Sequence, residues 1–175
     1  IQNWDCILPS ARPYFVKRVC IFGPESTGKS TLARQLAGHF RTVYASEYAR
    51  ELLSLKGGKC GYEDIDIIAR GQIASEDALA LQANRVMFCD TDILATKIWS
   101  ELLFGKCPEW IKEKAEQRTY DLYLVCSPNV PFVSDSQRYG GDRRQLSLER
   151  CVRELESRGR KYVLIDSPAW AGRLE

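Results

Sequence analysis

The sequence is poor in the residues on which several kinds of reactive site depend. Its 175 residues include one histidine, His39. This residue falls late in the first predicted helix, so it is interpreted as structural and no histidine-based mechanism is expected. The seven cysteines are scattered along the chain without a C-x-x-C pair. Such a set is typical of reduced thiols in the cytoplasm, and not of a disulfide or zinc framework.

The sequence also lacks a strong charge excess and long apolar runs. Lys and Arg number 25 and Asp and Glu number 23, which gives a net charge of +2. This balance predicts neither a nucleic-acid-binding stripe nor attraction to acidic membranes. No apolar run approaches the roughly 20 residues that a bilayer span needs, and the chain does not open with a basic-then-apolar segment of the secretory type. We therefore expect a globular domain with no nucleic-acid or membrane partner.

Short apolar runs alternate along the chain with helical patterns. The apolar runs lie at residues 16–22, 42–45, 86–89, 122–126 and 162–165. Helical spacing predicts helices between them, at about 29–40, 47–57, 63–83, 93–104 and 148–159. A further helix is predicted after Pro108, ending at about residue 118. Five buried strands alternating with helices predict a three-layer α/β domain with a parallel sheet covered on both faces.

Residues 1–13 stand apart from this alternation. They have no clear hydrophobic period and contain Pro9 and Pro13, so they are predicted to be a linker or arm, with the α/β domain at residues 14–175. The chain begins with Ile1 and not with methionine, which suggests a fragment of a longer polypeptide.

The first predicted strand and helix enclose the pattern G-x-x-x-x-G-K-[ST], which residues 23–30 meet without a gap. A buried strand before it and an amphipathic helix after it are the context of a phosphate-binding loop. Its glycines permit backbone angles that a side chain would forbid, and amides of about residues 26–31 would face an anion at the positive helix end. We expect Lys29 to reach the β- and γ-phosphates of ATP, and the Ser30 hydroxyl to bind Mg²⁺. The predicted ATP-binding residues are Gly23, Glu25, Ser26, Thr27, Gly28, Lys29, Ser30 and Thr31.

Two carboxylates follow the third predicted strand. Asp90 comes directly after the apolar run 86–89, where P-loop enzymes need an acid to hold the water shell of Mg²⁺. It is therefore predicted to complete the metal site with Ser30. Asp92 projects to the same side if the segment stays extended, and would then face the acceptor as a catalytic group or share the metal shell. The alternative is that Asp92 caps the helix that begins near Ile93.

A further carboxylate, Glu47, follows the second predicted strand on the edge of the sheet that also carries the phosphate loop. Ligands of open α/β sheets bind at that edge, so Glu47 is predicted to accept the proton of an incoming hydroxyl. Arg50 lies on the same helical side and could pair with Glu47 or bind the acceptor. The alternative is a helix-start acid with a surface ion pair.

Residues 128–145 contain prolines, a Gly-Gly pair and several charged residues, and are predicted to form a mobile loop. Arginines on a glycine-hinged loop suit a lid that closes over the γ-phosphate and excludes water. Arg138 is the first choice for this catalytic role, and Arg143 and Arg144 are the other candidates. Trp99 and Trp110 are interpreted as packing residues.

These features together resemble the nicotinamide-riboside kinase domain of the NadR-type NAD-salvage proteins, over about residues 13–168. The matching motifs are F-V-K-R-V-C-I-F-G-P-E-S-T-G-K-S-T-L from Phe15, E-Y-A-R-E from Glu47, I-A-R-G-Q from Ile68, D-T-D from Asp90, T-K-I-W-S-E from Thr96 and Y-D-L-Y-L from Tyr120. The phosphate loop occurs in many families, whereas the combination of E-Y-A-R-E with D-T-D-x-x-x-T is much more specific.

The resemblance implies ATP- and Mg²⁺-dependent phosphorylation of the ribose 5′-hydroxyl of nicotinamide riboside. It also implies a fold like that of nucleoside-monophosphate kinases, with sheet order 2-3-1-4-5, and a nicotinamide-mononucleotide adenylyltransferase domain as a possible covalent neighbour. Some members carry a tryptophan directly before E-Y-x-R-E, suited to stacking on a pyridine ring, where this chain has Ser46. Tyr48 is the candidate replacement in the substrate site. The alternatives are a kinase for another nucleoside or small alcohol, and a regulatory module that binds ATP without transferring a phosphoryl group.

Overall fold

The computed structural model describes residues 3–133, 143–169 and 171–173. Within these ranges the chain forms a sheet whose strands are β1 (Lys17–Phe22), β2 (Tyr44–Ala45), β3 (Val86–Asp90), β4 (Leu122–Cys126) and β5 (Tyr162–Ile165). The helices are α1 (Lys29–His39), α2 (Tyr48–Leu55), α3 (Asp64–Ala80), α4 (Ile93–Phe104), α5 (Glu109–Gln117) and α6 (Arg144–Glu156). Short 3₁₀ turns occur at Trp4–Cys6, Arg12–Phe15 and Ala171–Arg173. None of the helices described is long and apolar enough to cross a membrane.

The five strands are parallel and lie in the order β2-β3-β1-β4-β5. The central strand β1 pairs with β3 on one side, where Cys20 faces Cys89, and with β4 on the other, where Ile21 faces Leu124. Both the predicted α/β class and the strand order implied by the family resemblance are confirmed. Because all strands run the same way, their carboxyl ends meet at one edge, and the loops there form the site.

Alternate residues of each strand face opposite layers of helices. Cys20 and Phe22 of β1, with Met87 and Tyr123 of its neighbours, belong to a larger core that includes residues of α3, α4, α5 and α6. The intervening residues, including Ile21, belong to a smaller core with α1. Both faces of the sheet are therefore buried, as a parallel sheet requires.

Two details differ from the prediction. Helix α6 begins at Arg144, inside the segment predicted as a loop. Helical spacing from Leu94 through Ile98 predicts that Leu102 lies on the inner side of α4, but 45% of its surface is exposed. The buried side of that last turn is instead occupied by Ser100, whose hydroxyl donates a hydrogen bond of 2.7 Å to the carbonyl of Lys106.

The amino-terminal segment packs on the domain. Trp4 is buried in the larger core, and the Arg12 guanidinium lies over its ring, 5.7 Å from the centroid. Asp5 forms an ion pair of 2.9 Å with Arg85. The role of residues 1–13 as the link to a preceding domain stays a prediction.

Candidate active site

The phosphate loop depends on two glycines whose conformations other residues would not tolerate. Gly23 has φ +120°, and a Cβ there would lie 2.6 Å from the carbonyl oxygen of Cys126. Gly28 has φ +82° and is the N-cap of α1. Since both positions combine positive φ with a place between β1 and α1, the loop can wrap tightly around the amino end of the helix.

The polar side chains of the loop are tied to its own backbone and to neighbouring segments. The Lys29 ammonium donates to the carbonyl of Pro24 over 2.7 Å, and the buried Thr27 hydroxyl donates to the same carbonyl over 2.8 Å. The Ser26 hydroxyl accepts a hydrogen bond of 2.8 Å from the amide of Val133. These hydrogen bonds fix the conformation of the loop and hold the Lys29 ammonium beside the carbonyl of Pro24.

Asp90, at the end of β3, lies directly beneath the loop. It is 1% exposed, and it accepts a side-chain hydrogen bond from Ser30. Burial, followed by the nearby charge of Glu47, raises the pKa of Asp90 to about 6, while Lys29 oppositely lowers it. Its Oδ1 atom is buried without a hydrogen-bond partner among the described residues. A buried oxygen with an open lone pair next to a serine hydroxyl fits a Mg²⁺ shell, which is built from oxygen atoms.

Among the described residues, no group of three or more His, Cys, Asp or Glu side chains could hold a metal ion.

Glu47 and Arg50 lie where the sequence predicts them. Glu47 is the N-cap of α2, and its Oε2 lies 3.8 Å from Nε of Arg50. Both residues line the same cavity as Lys29 and Ser30. The structure therefore brings Glu47, the predicted general base, to the same cavity as the phosphate loop and Ser30, the predicted metal ligand.

Asp92 has a different environment. It is 1% exposed, and it caps α4 by accepting the Ala95 amide over 2.9 Å. Its second oxygen accepts the Tyr123 hydroxyl over 2.8 Å. Burial raises the pKa of Asp92 to about 7. This geometry favours the capping alternative, and direct contact with an acceptor stays a prediction.

The cavity beside the phosphate loop has a volume of about 190 Å³. Away from the loop its wall is mainly apolar and includes Leu53, Cys60, Ile65, Ile68, Trp99 and Leu103. Trp99 was interpreted from sequence as a packing residue, but it is only partly buried and faces this cavity. Thr96, Trp99 and Leu103 share one face of α4. Apolar residues around the rest of the helix leave no sequence signal that marks this face as the cavity side.

Tyr48 and Ser46 do not line this cavity. The Tyr48 ring packs against α3 at Gly71, where a Cβ atom would lie 2.3 Å from the ring. The Ser46 hydroxyl donates to the Glu51 carboxylate. Neither side chain therefore lines the space in which the base of a nucleoside acceptor would lie. The aromatic platform predicted at Tyr48 is not found among the cavity residues.

The candidate lid arginines are only partly described. Arg138 lies outside the described residues, and Arg143 precedes α6 as its N-cap. Arg144 donates to the carbonyl oxygens of Ser26, over 3.3 Å, and Val130, over 3.1 Å. Arg144 therefore connects the start of α6 to the phosphate loop.

Two further contacts at the site carry no sequence signal. Arg173 is buried and donates to the carbonyl oxygens of Thr27 and Ser127, each over 2.9 Å. Gln72, on α3, lines the cavity and accepts the Tyr48 amide over 3.0 Å. Trp110, by contrast, donates from its indole nitrogen to Asp66 over 2.7 Å, in keeping with the predicted packing role.

Comparison with known families and proteins identifies relatives along the whole chain. Residues 18–173 match the family model of an AAA domain. The trifunctional NAD biosynthesis/regulator protein NadR of Escherichia coli (strain K12) is 32% identical over 98% of this chain. NadR of Salmonella typhimurium (strain LT2) is also 32% identical over 98%. The chain spans 43% of the length of each of these relatives.

Solved structures of NadR proteins are also similar to this chain. A NadR protein crystallised in complex with NR superposes with a TM-score of 0.80 at 26% identity, over 95% of this chain and 48% of that one. A NadR protein in complex with NAD and AMP-PNP gives a TM-score of 0.75 at 25% identity, with the same coverage of 95% and 48%. A thymidylate kinase from Ehrlichia chaffeensis, 13% identical over 86% of each chain with a TM-score of 0.59, shares the fold.

Proposed function

The chain belongs to the AAA domain family, and from this membership and its site we propose that it is an ATP-dependent kinase acting on nicotinamide riboside. The reaction transfers the γ-phosphoryl group of ATP to the ribose 5′-hydroxyl, which gives nicotinamide mononucleotide in NAD salvage. The observation that carries the proposal is the cavity in which Glu47, Arg50, Lys29 and Ser30 face one another beside an apolar wall. The likeness to NadR structures, one of them in complex with NR, supports this acceptor.

The phosphate loop binds the triphosphate of ATP. Its backbone amides and the amino end of α1 offer donors and positive potential to phosphate oxygens, and Lys29 adds a cation at the loop's mouth. Glu25, Ser26, Thr27, Gly28 and Thr31 line the same cavity and belong to this proposed nucleotide site.

Ser30 and Asp90 would hold Mg²⁺, Ser30 directly and Asp90 through its open Oδ1 atom. When bound, the ion neutralises charge on the β- and γ-phosphates. The raised pKa of Asp90 has the cause expected for such a site, since a buried carboxylate without its cation retains a proton more readily.

Glu47 is the proposed general base. Its carboxylate lines the cavity that Lys29 also lines, and its charge acts on Asp90, which supports a place for it near the expected γ-phosphate. It accepts the proton of the 5′-hydroxyl as the oxygen attacks phosphorus. Arg50 orients this carboxylate across their 3.8 Å separation and offers a donor to the ribose.

Trp99 supplies the proposed surface for the pyridine ring. The nicotinamide ring of the riboside is cationic, and an aromatic face attracts a cation. Within residues 3–133, 143–169 and 171–173, no hydrogen bond or ring contact engages the Trp99 indole, and the neighbouring wall of the cavity is apolar. Trp99 thus takes over the stacking role that Ser46 cannot perform.

The wider setting is also proposed. Because the chain spans less than half of the NadR relatives, we expect it to work as one part of a longer protein, with an adenylyltransferase domain as covalent neighbour. The cysteines predict the cytoplasm as its compartment. Arg138 remains the proposed lid arginine.

A coupled assay of ADP release with ATP, Mg²⁺ and nicotinamide riboside tests the function. Turnover is expected for the natural chain, with a loss of at least about 100-fold for Lys29→Ala and for Glu47→Gln. Lys112→Ala and Glu109→Gln, which change an exposed ion pair on α5, are matched controls and keep full activity.

A panel of uridine, cytidine, adenosine and glycerol is run in parallel. Greater turnover of one of these would move the function to another acceptor. ATP binding without transfer to any of them would instead support the regulatory module.

A further inference from the structure

A buried chain of hydrogen-bonded side chains runs from the start of α2, along α3, to the segment before β4. Gln72 accepts the backbone N–H of Tyr48 over 3.0 Å and donates from its amide nitrogen to Glu76 over 3.0 Å. Glu76 in turn accepts the hydroxyl of Tyr120 over 2.7 Å and Nη2 of Arg118 over 3.1 Å. Gln72 is 2% exposed and Glu76 is fully buried.

Glu76 determines which way the Gln72 amide faces. A carboxylate can only accept hydrogen bonds, whereas an amide has one accepting and one donating end. The donating end of Gln72 must therefore face Glu76, and this leaves its carbonyl oxygen facing Tyr48. Arg118, together with Arg18 at 3.8 Å, supplies the positive charge that a buried carboxylate needs.

The Tyr48 amide that Gln72 binds lies at a sensitive point of α2. Tyr48 is the first residue of the helix, and amides of a first turn have no partner within the helix. Glu47, the N-cap, makes no side-chain capping bond. The Gln72 carbonyl thus supplies a partner that a capping side chain would otherwise provide.

We propose that Gln72 and Glu76 are positioning residues that hold the entry of α2, and with it the Glu47 carboxylate, in place for proton transfer. This inference rests on the proposed function, because it assigns the pair a task through Glu47. The pair acts through Glu47 and not by direct contact with the acceptor. Glu76 does not line the cavity, and although Gln72 does, both ends of its amide are engaged within the protein.

The test compares Glu76→Gln with Asp77→Asn. Both residues accept a hydrogen bond from Arg118, but only Glu76 contacts Gln72, and Asp77 is half-exposed. A glutamine at position 76 can donate as well as accept, so the Gln72 amide is free to turn. We expect kcat with nicotinamide riboside to fall by about 10- to 100-fold in Glu76→Gln, because small misplacements of catalytic groups have effects of that size.

The KM for ATP is expected to stay within about twofold in Glu76→Gln, and Asp77→Asn is expected to keep kcat within about twofold. Equal losses of kcat in the two variants would overturn the proposal, since they would trace the loss to Arg118, which both residues contact, and not to Gln72. If Glu76→Gln fails to fold, Gln72→Met is used in its place, because it removes both hydrogen bonds at similar volume.

Amide hydrogen exchange gives a readout that does not depend on turnover. The amides at the start of α2 are expected to exchange about fivefold faster in Glu76→Gln, as loss of one net hydrogen bond predicts, and at the natural rate in Asp77→Asn. Unchanged exchange in Glu76→Gln overturns the inference. A natural chain that turns over no acceptor overturns the proposed function instead, and exchange still decides whether the pair holds α2.

Discussion

Replacing Asp92 with asparagine is expected to make the folded protein more stable at neutral and alkaline pH. Burial raises the pKa of Asp92 to about 7 from an ordinary value of 3.8, and hydrogen bonds from Ala95 and Tyr123 offset only part of that effect. Between these pH values the unfolded chain ionises Asp92 while the folded chain retains the proton. The free energy of unfolding therefore falls as the pH rises through this window. Asparagine caps helices as well as aspartate does, and it brings no charge to bury. Its carbonyl oxygen can accept the Ala95 amide, while its amide nitrogen donates to the Tyr123 oxygen in place of the bond that Asp92 accepts.

The magnitude follows from the pKa difference. Each pH unit inside the window is worth about 1.4 kcal/mol. The variant is thus expected to be more stable than the natural chain by about 1.5 kcal/mol at pH 5 and by about 4 kcal/mol at pH 8. The gap widens between pH 5 and pH 7 and is constant above that. Asp90, the other buried acid with a raised pKa, is present in both proteins and cancels in the comparison.

Urea unfolding at pH 5, 6, 7 and 8 measures this gap. Asp5→Asn, which changes an exposed carboxylate, is the control and is expected to leave the pH dependence as it is. A gap that stays constant or narrows with rising pH would refute the reasoning. The same variant separates the two roles considered for Asp92: a stable, folded protein that loses kinase turnover by 100-fold or more would support a chemical role over capping.

Three further expectations concern the cavity and its loop. Burial raises the pKa of Asp90 to about 6, and Asp90 must be ionised to hold a cation. At limiting Mg²⁺, kcat/KM is therefore expected to fall as the pH drops below about 6. A pH–rate profile from 4 to 8 measures this, and kcat/KM that stays constant down to about pH 4.5 would contradict it. Trp99→Leu is expected to raise the KM for nicotinamide riboside about tenfold without changing the KM for ATP, since an aromatic–cation contact is worth about 1–2 kcal/mol. Trp110→Leu, which changes a residue outside the cavity, is the control in the same steady-state assay. Equal rises of KM in the two variants would refute the assignment of Trp99. Gly23→Ala is expected to abolish ATP binding in calorimetry, because the added Cβ would lie 2.6 Å from a β4 carbonyl. Gly38→Ala, in open space on α1, is expected to raise stability by about 0.5–1 kcal/mol with binding unchanged, and binding by both variants would contradict the steric argument.

The parts of the site that sequence predicts are those built by neighbours in the chain. The phosphate loop and Asp90 directly follow predicted strands, Glu47 follows one after a single residue, and parallel strands bring such residues to one edge. Asp92 stayed ambiguous because capping a helix and facing a substrate both place an aspartate after a strand. The structure separates these roles through the capping bond from Ala95 and through the Tyr123 hydroxyl, which comes from another strand.

Sequence does not predict the features of the site that depend on which side of a helix faces the cavity or contacts a residue distant in the chain. Helix α4 carries apolar residues around much of its circumference, so periodicity does not tell the sheet-facing side from the cavity side on which Trp99 lies. The pairing of Gln72 with Glu76 has helical spacing, but its partner Tyr120 is distant in sequence. A buried carboxylate such as Glu76 requires hydrogen-bond donors. Because these donors come from distant segments, no local sequence pattern identifies them.

The contact between Arg173 and Thr27 also constrains how the protein is made. These residues lie 146 positions apart. The phosphate loop therefore leaves the ribosome long before Arg173, whose guanidinium donates the hydrogen bond to Thr27. The central strand β1 likewise waits for β3 and β4, which are synthesised later. Because chains emerge at about 5–20 residues per second, the nascent loop spends several seconds without its fastening. The nucleotide site is thus one of the first parts of the chain to be synthesised and one of the last to be finished.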